Sequence, residues 1–356
     1  MQLKIVNMAI RYRQYTRFNR IGEGLKMQRL TRRLTIIGAF ATGLFTAVGF
    51  WWRRRFPAVT AGPTTAALPK GDFSMTPFRT IARIIPRRPT VEGAGVRLNR
   101  LFGFGDEAEM DPFLLMDHFG SDKPEDYLAG FPWHPHRGME TITYVLEGEV
   151  AHGDSLGNSG TITAGDLQWM TAGSGIIHQE MPKGNADGRM SGFQLWANLP
   201  KTQKMTAPKY RDIASHDIPS HPLENGGTVR VIAGSYNGTD GPMDDIVIQP
   251  EYLDIALTGG GAIQHPTPLG HTVFAYIFEG TAAFADTTVT SGHLIRFSDG
   301  AAVSIEASEA GARLLLISGK PLDEPVAWRG PIVMNTEEEL HTAFEEYRNG
   351  TFIKKI

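Results

Sequence analysis

One short sequence occurs twice in this chain of 356 residues, as Tyr144-Val-Leu-Glu147-Gly148 and again as Tyr276-Ile-Phe-Glu279-Gly280. A weaker echo follows each copy, Ala164-Gly165-Asp166 and then Ser291-Gly292-His293. Recurrence at that spacing implies a duplicated domain. The length suits two ordinary domains with their own cores. With 40 glycines and 22 prolines, tight turns and short strands are favoured over long helices, so each copy is expected to be all-β. A polar stretch, KTQKMTAPKYRDIASHDIP, separates the copies and places the domain limits at 75–215 and 216–356.

The chemistry of the first copy sits in two pairs, His134-Pro-His136 and His178-Gln-Glu180. Successive side chains on a strand alternate faces, so each pair presents two groups on one side, and two neighbouring strands bring four together. Three imidazoles and a carboxylate suit a divalent first-row transition metal and leave coordination room for water, dioxygen or a chelating substrate. A lone histidine among apolar residues is usually structural; four ligand-type residues in strand-spaced pairs are not the same case. Continuing the alternation through Gly138 puts Glu140 on the same face, as a fifth ligand or, in preference, an acceptor orienting an imidazole. Phe131, Trp133, Met139, Ile142, Trp169 and Met181 can line a pocket there or serve as core.

HPHRGMETITYVLEG and GDLQWMTAGSGIIHQEMP resemble the signature of the pirins, a family of the cupin superfamily. The likeness runs from about Met75 to the C-terminus and includes DPFLLMDHFG (111–120) and GPIVMNTEEE (330–339). Two departures from the wider cupin pattern, the extra residue between Glu140 and Gly148 and the G-S-G-I-I-H before Gln179, are typical of pirins. The resemblance implies a bicupin, two antiparallel β-sandwich barrels face to face, with metal in the N-terminal one. It implies His134, His136, His178 and Glu180 as metal ligands, Fe2+ as the usual ion, and quercetin 2,3-dioxygenase activity on a flavonol with dioxygen. Glu180 would then double as the catalytic base for the flavonol 3-hydroxyl. As the alternative to turnover, it implies a metal- or redox-responsive regulator binding a transcription factor or metabolic enzyme.

If the copies are superposed on the Glu-Gly turn, His134, His136 and Glu140 fall on Pro266, Pro268 and Thr272; by the later glycine turn, His178 and Glu180 fall on Ile305 and Ala307. The second copy is therefore expected to lack ligands, with His265 and His271 in loops or at the surface. His118 is expected to be structural, and His216 and His221 to face solvent. The tail is expected to form the one clear helix, capped by Asn335 with Glu338 at the capping-box position, with Leu340, Phe344 and Tyr347 on one face and Gly350 at its end.

The absence of cysteine excludes a disulfide framework, a zinc ribbon and a thiolate nucleophile. The net charge of −3 hides an asymmetry: residues 1–56 carry 12 Lys/Arg against Glu23, a local +11, which leaves −14 on residues 57–356. An acidic body argues against direct binding to nucleic acid. Within residues 1–74, Leu34–Trp52 is uncharged and flanked by Arg32-Arg33 and Arg53-Arg54-Arg55. Three readings stand: an anchor crossing a membrane with the body outside, an export signal beginning at Met27, or a true start near Met75 with a cytoplasmic body. In the first two, 57–74 is a linker.

Overall fold

The computed structural model describes residues 77–224 and 226–354; the segment 34–52 and its linker lie outside them. Among the described residues no helix is long and apolar enough to cross a membrane. The α-helices there are the single turn Glu107–Met110 and Glu337–Asn349, and the rest of the regular structure is antiparallel sheet with short 3-10 turns.

The first copy is a sandwich. Its seven-stranded sheet runs, edge to edge, Lys209–Ile213, Leu167–Thr171, Met139–Glu147, Met190–Asn198, Phe113–Ser121, Val96–Phe102 and Arg88–Glu92. A four-stranded sheet of Phe131–His136, Ile176–Lys183, Glu149–Asp154 and Ser159–Thr163 closes over it. Leu98, Phe119 and Val145 from the large sheet meet Val150 and Ile162 from the small one. The second copy is a nine-stranded sheet curled on itself. Its longest strand, Ala302–Gly319, pairs with Ala262–Pro266 through its first half and with Glu251–Leu257 through its second, so one strand serves both walls. Inside it Val229, Leu253, Ile255, Leu314 and Leu316 form an apolar core.

The two large sheets pack on each other through the faces turned away from the barrel interiors. Ile142, Tyr144, Trp169, Phe193 and Leu195 meet Ile232, Tyr252, Phe274, Tyr276, Leu315 and Ile317 there, all nearly inaccessible. Both tyrosines of the repeated pentapeptide sit in this layer, where a phenol needs a polar partner. Tyr144 donates to Asp254 (2.7 Å), which Arg313 also holds, and Tyr276 pairs with His118 Nδ1 (2.9 Å). Each copy thus satisfies the other's tyrosine, and His118 has the structural role expected of it.

The first and last described segments both cross between the copies. The stretch around Pro86 and Pro89 is shared out: Ile81–Pro86 edges the second sheet and Arg88–Glu92 the first. At the other end Ile332–Met334 returns to the first sandwich, where Ile332 bridges Arg137 in parallel. The helix that follows is capped by Thr336, not Asn335. Thr336 accepts from the Glu339 backbone and Glu339 bonds back to the Thr336 backbone, completing the capping box. Asn335 spends its amide on Glu324 and the Pro325 carbonyl. Leu340, Ala343 and Phe344 form the buried face, while Tyr347 lies at its margin, 39% exposed with its ring against Phe352.

Candidate metal centre

Strand pairing builds the site. Phe131–His136 lies antiparallel to Ile176–Lys183 with His134 opposite His178 and His136 opposite Ile176. Opposite residues share a face, so three imidazoles meet, with ring centroids 4.4 to 5.0 Å apart. One nitrogen from each of His134, His136 and His178 lies within 4.8 Å of the others. Glu180 stands beside this trio: its Oε2 is 3.9 Å from His178 Nε2, and its Oε1 is 3.2 Å from the Thr143 hydroxyl.

The tautomers follow from the partners. His134 Nδ1 lies 3.0 Å from the Pro132 carbonyl and His136 Nδ1 lies 3.1 Å from the Pro331 carbonyl. A carbonyl only accepts, so both rings carry their proton on Nδ1 and offer Nε2 as a lone pair. Burial lowers the pKa of all three imidazoles, those of His136 and His178 far below the usual value, so they are neutral, the form that binds a metal. Neither ring nitrogen of the fully buried His178 has a hydrogen-bond partner among the described residues. Such an orphan is costly unless a cation accepts the lone pair, so the donor set fits a divalent metal. Burial also pushes the Glu180 carboxyl up to about 7.

Glu140 is not part of this group. Gly138 has a left-handed backbone (φ +75°), which ends the alternation counted from His136. Met139–Glu147 restarts in the other sheet with Thr141 and Thr143 toward the barrel interior and Glu140 on the opposite face, where it accepts from Thr171 (2.6 Å). Ile142 and Trp169 share that face and belong to the layer between the large sheets, not to a pocket. Met139 is buried beside Val333, and Phe131 packs on the first barrel's core. Trp133 is half exposed and Met181 half-buried, both alternating with the inward residues of their strands.

Other residues complete the surroundings. Trp196 sets its indole edge-on to His136 at 5.1 Å, and Gln194 accepts from Thr143 at 2.7 Å. Both occupy inward positions of Met190–Asn198, readable once that strand's face is known. A polar row crosses six strands on the same inner face: Arg100, Asp117, Gln194, Thr143, Gln168 and Asp212 stand opposite one another in sequence. Each comes from a different strand, so no local motif announces it.

Register also revises the second copy. Ile305 stands opposite Ile263 and Val303 opposite His265, as His178 stands opposite His134 and Ile176 opposite His136. The counterparts of His134 and His136 are therefore Ile263 and His265, not Pro266 and Pro268. His265 is not in a surface loop: it is a buried strand residue bonded to Glu251 at 2.8 Å and stacked on Tyr236. His271 lies in a loop, partly buried; His216 is exposed, and His221 is half-buried against Tyr236.

Two facing antiparallel cupin barrels, one with a three-histidine cluster inside, define a bicupin with a single candidate metal centre among the described residues. Residues 95–197 match the family model described as Pirin, and 252–353 the one described as Pirin C-terminal cupin domain. A pirin-like protein of Caulobacter vibrioides is 43% identical over 277 residues, covering 78% of this chain and 100% of that protein. A Pseudomonas aeruginosa protein with a provisional quercetin 2,3-dioxygenase name is 43% identical over 283 residues, covering 78% and 99%. Among solved structures, the 1.88 Å quercetin 2,3-dioxygenase from Acinetobacter baumannii aligns with TM-score 0.72 at 34% identity, covering 77% of this chain and 98% of that one. The chain belongs to the pirin family.

Proposed function

We propose that this pirin is a metal-dependent dioxygenase that opens a flavonol such as quercetin, with Fe2+ held by His134, His136, His178 and Glu180. The observation that carries the reading is the convergence of three neutral imidazoles, His136 and His178 buried and His134 half-buried, beside a buried carboxylate, with neither ring nitrogen of His178 bonded to a partner among the described residues. An iron ion bound there would supply Lewis acidity and a one-electron partner for dioxygen. Within this reading 75–215 is the metal-binding domain and 216–356 the domain without a metal.

The chain's own groups do the rest. Glu180 Oε2, on the side of the carboxyl that faces His178, is placed to accept the proton of the flavonol 3-hydroxyl and to return it later. The Thr143 hydroxyl, 3.2 Å from Oε1, is the polar side chain that steadies that carboxyl group. The Trp196 indole, half-buried beside His136, provides a flat wall for an aromatic ring. The name of the Acinetobacter structure supports the choice of flavonol.

The test is oxygen uptake and loss of flavonol absorbance with quercetin, using the full chain loaded anaerobically with ferrous iron, beside His136→Ala and Glu180→Ala. Turnover in the parent and its loss in both variants is expected. Stoichiometric iron without turnover would sink the enzymatic reading and favour a regulator that binds a protein partner.

A further inference from the structure

Lys204 is almost completely buried, at 2% exposure, and has no role in the chemistry above. Burying an ammonium is costly, and an apolar side chain would fill the space without that cost. Its three donors are all used: Nζ bonds the Gly138 carbonyl at 2.8 Å, Asn198 Oδ1 at 2.7 Å and the Val333 carbonyl at 3.1 Å. None of the three is a carboxylate.

The positions of those acceptors give the site its purpose. Gly138 lies two residues beyond His136, and Val333 lies two residues beyond Pro331, whose carbonyl takes the His136 Nδ1 proton. The two segments run parallel, joined by the Arg137–Ile332 bridge and by Val333 N–H donating to Arg137 O at 3.0 Å. Lys204 ties them together one step further on. A shift of the returning strand would leave His136 Nδ1 without its acceptor and free the ring to take the other tautomer, in which Nε2 carries the proton and binds no metal.

We propose that Lys204 is a positioning residue for the metal centre: it pins the returning C-terminal strand so that the Pro331 carbonyl holds His136 with Nε2 free. The inference rests on the reading of His136 as a ligand.

Two readouts on the 15N-labelled full chain test it: the His136 tautomer in metal-free protein, from long-range 1H–15N ring correlations, and the affinity for Co2+. The parent should show the Nδ1–H form. Lys204→Met should shift His136 toward the Nε2–H form and weaken cobalt binding about ten- to a hundredfold. Leu316→Ala, a destabilising change in the second barrel's core, should leave both readouts as in the parent. Parent-like tautomer and affinity in Lys204→Met would overturn the proposal. If that variant does not fold, Lys204→Gln, which keeps a polar end but is too short to bond both the Gly138 and Val333 carbonyls, decides: a shift in the same direction supports the pin, and a parent-like ring overturns it. A tautomer shift in a protein whose parent binds no cobalt would keep the pin and refute the metal reading instead.

Discussion

Gly138→Ala should be among the most damaging single-methyl additions in this protein. Gly138 has φ +75°, and a Cβ built on it would lie 1.9 Å from the Val333 carbonyl oxygen and 3.3 Å from Lys204 Cδ. Gly270 provides the control: its φ is +73°, and a Cβ there meets nothing within 4 Å. The left-handed backbone alone costs an alanine about 1 kcal/mol at either position. At Gly138 the returning strand must also retreat far enough to restore ordinary contact. That threatens three hydrogen bonds: Val333 N–H to Arg137 O, His136 Nδ1 to the Pro331 carbonyl, and Lys204 Nζ to Val333 O. At about 1 kcal/mol net for each, the total reaches about 4 kcal/mol, against about 1 for the control. Urea unfolding with matched slopes measures the difference directly. In thermal unfolding, at roughly 2–4 °C per kcal/mol for a large domain, the control should lose roughly 2–4 °C and Gly138→Ala roughly 8–16 °C. Equal losses would refute the claim that the strand is held tightly against Gly138.

Glu180 should give metal-free protein a distinctive pH dependence. Burial raises its carboxyl to about 7 from the ordinary glutamate value of 4.5, so the folded state binds the extra proton between those values. The stability it contributes is fully present below about pH 4.5 and is lost as pH rises through 7. Relative to Glu180→Gln, the metal-free parent should lose up to about 3 kcal/mol between pH 4.5 and 8 in urea titrations, and parallel curves would count against the shift. Tyr144→Phe removes a donor to Asp254 in the layer between the large sheets and should cost about 1–2 kcal/mol of unfolding free energy, because Arg313 still holds the carboxylate. Thr336→Ala should cost about 1 kcal/mol by the same measurement, through loss of the helix cap.

What was legible in the sequence was what repeats or alternates locally. The pentapeptide around Tyr144 and Tyr276 revealed the duplication, and the two strand-spaced pairs led to the three imidazoles that the fold gathers. Alternation failed at Gly138, where a left-handed residue moves the chain to another sheet and turns Glu140 away. Matching the copies from the Glu-Gly turn failed because the connection before Thr272 is longer than that before Met139, which hid His265 as the counterpart of His136. Asn335 and Thr336 both suit a helix cap, and only the claim of Glu324 and Pro325 on Asn335 decides between them. The Pro331 carbonyl, Lys204 and the polar row lie far apart in sequence and meet only through the returning strand and sheet register.

The central claim is that His134, His136, His178 and Glu180 hold one metal ion. Anomalous diffraction at the cobalt absorption edge, from crystals of the full chain grown with Co2+, tests it most directly. The account predicts one strong peak per chain, bonded to the Nε2 atoms of the three histidines at about 2.0–2.2 Å, with a Glu180 oxygen at similar distance. A peak elsewhere, or none in crystals containing cobalt, would contradict it.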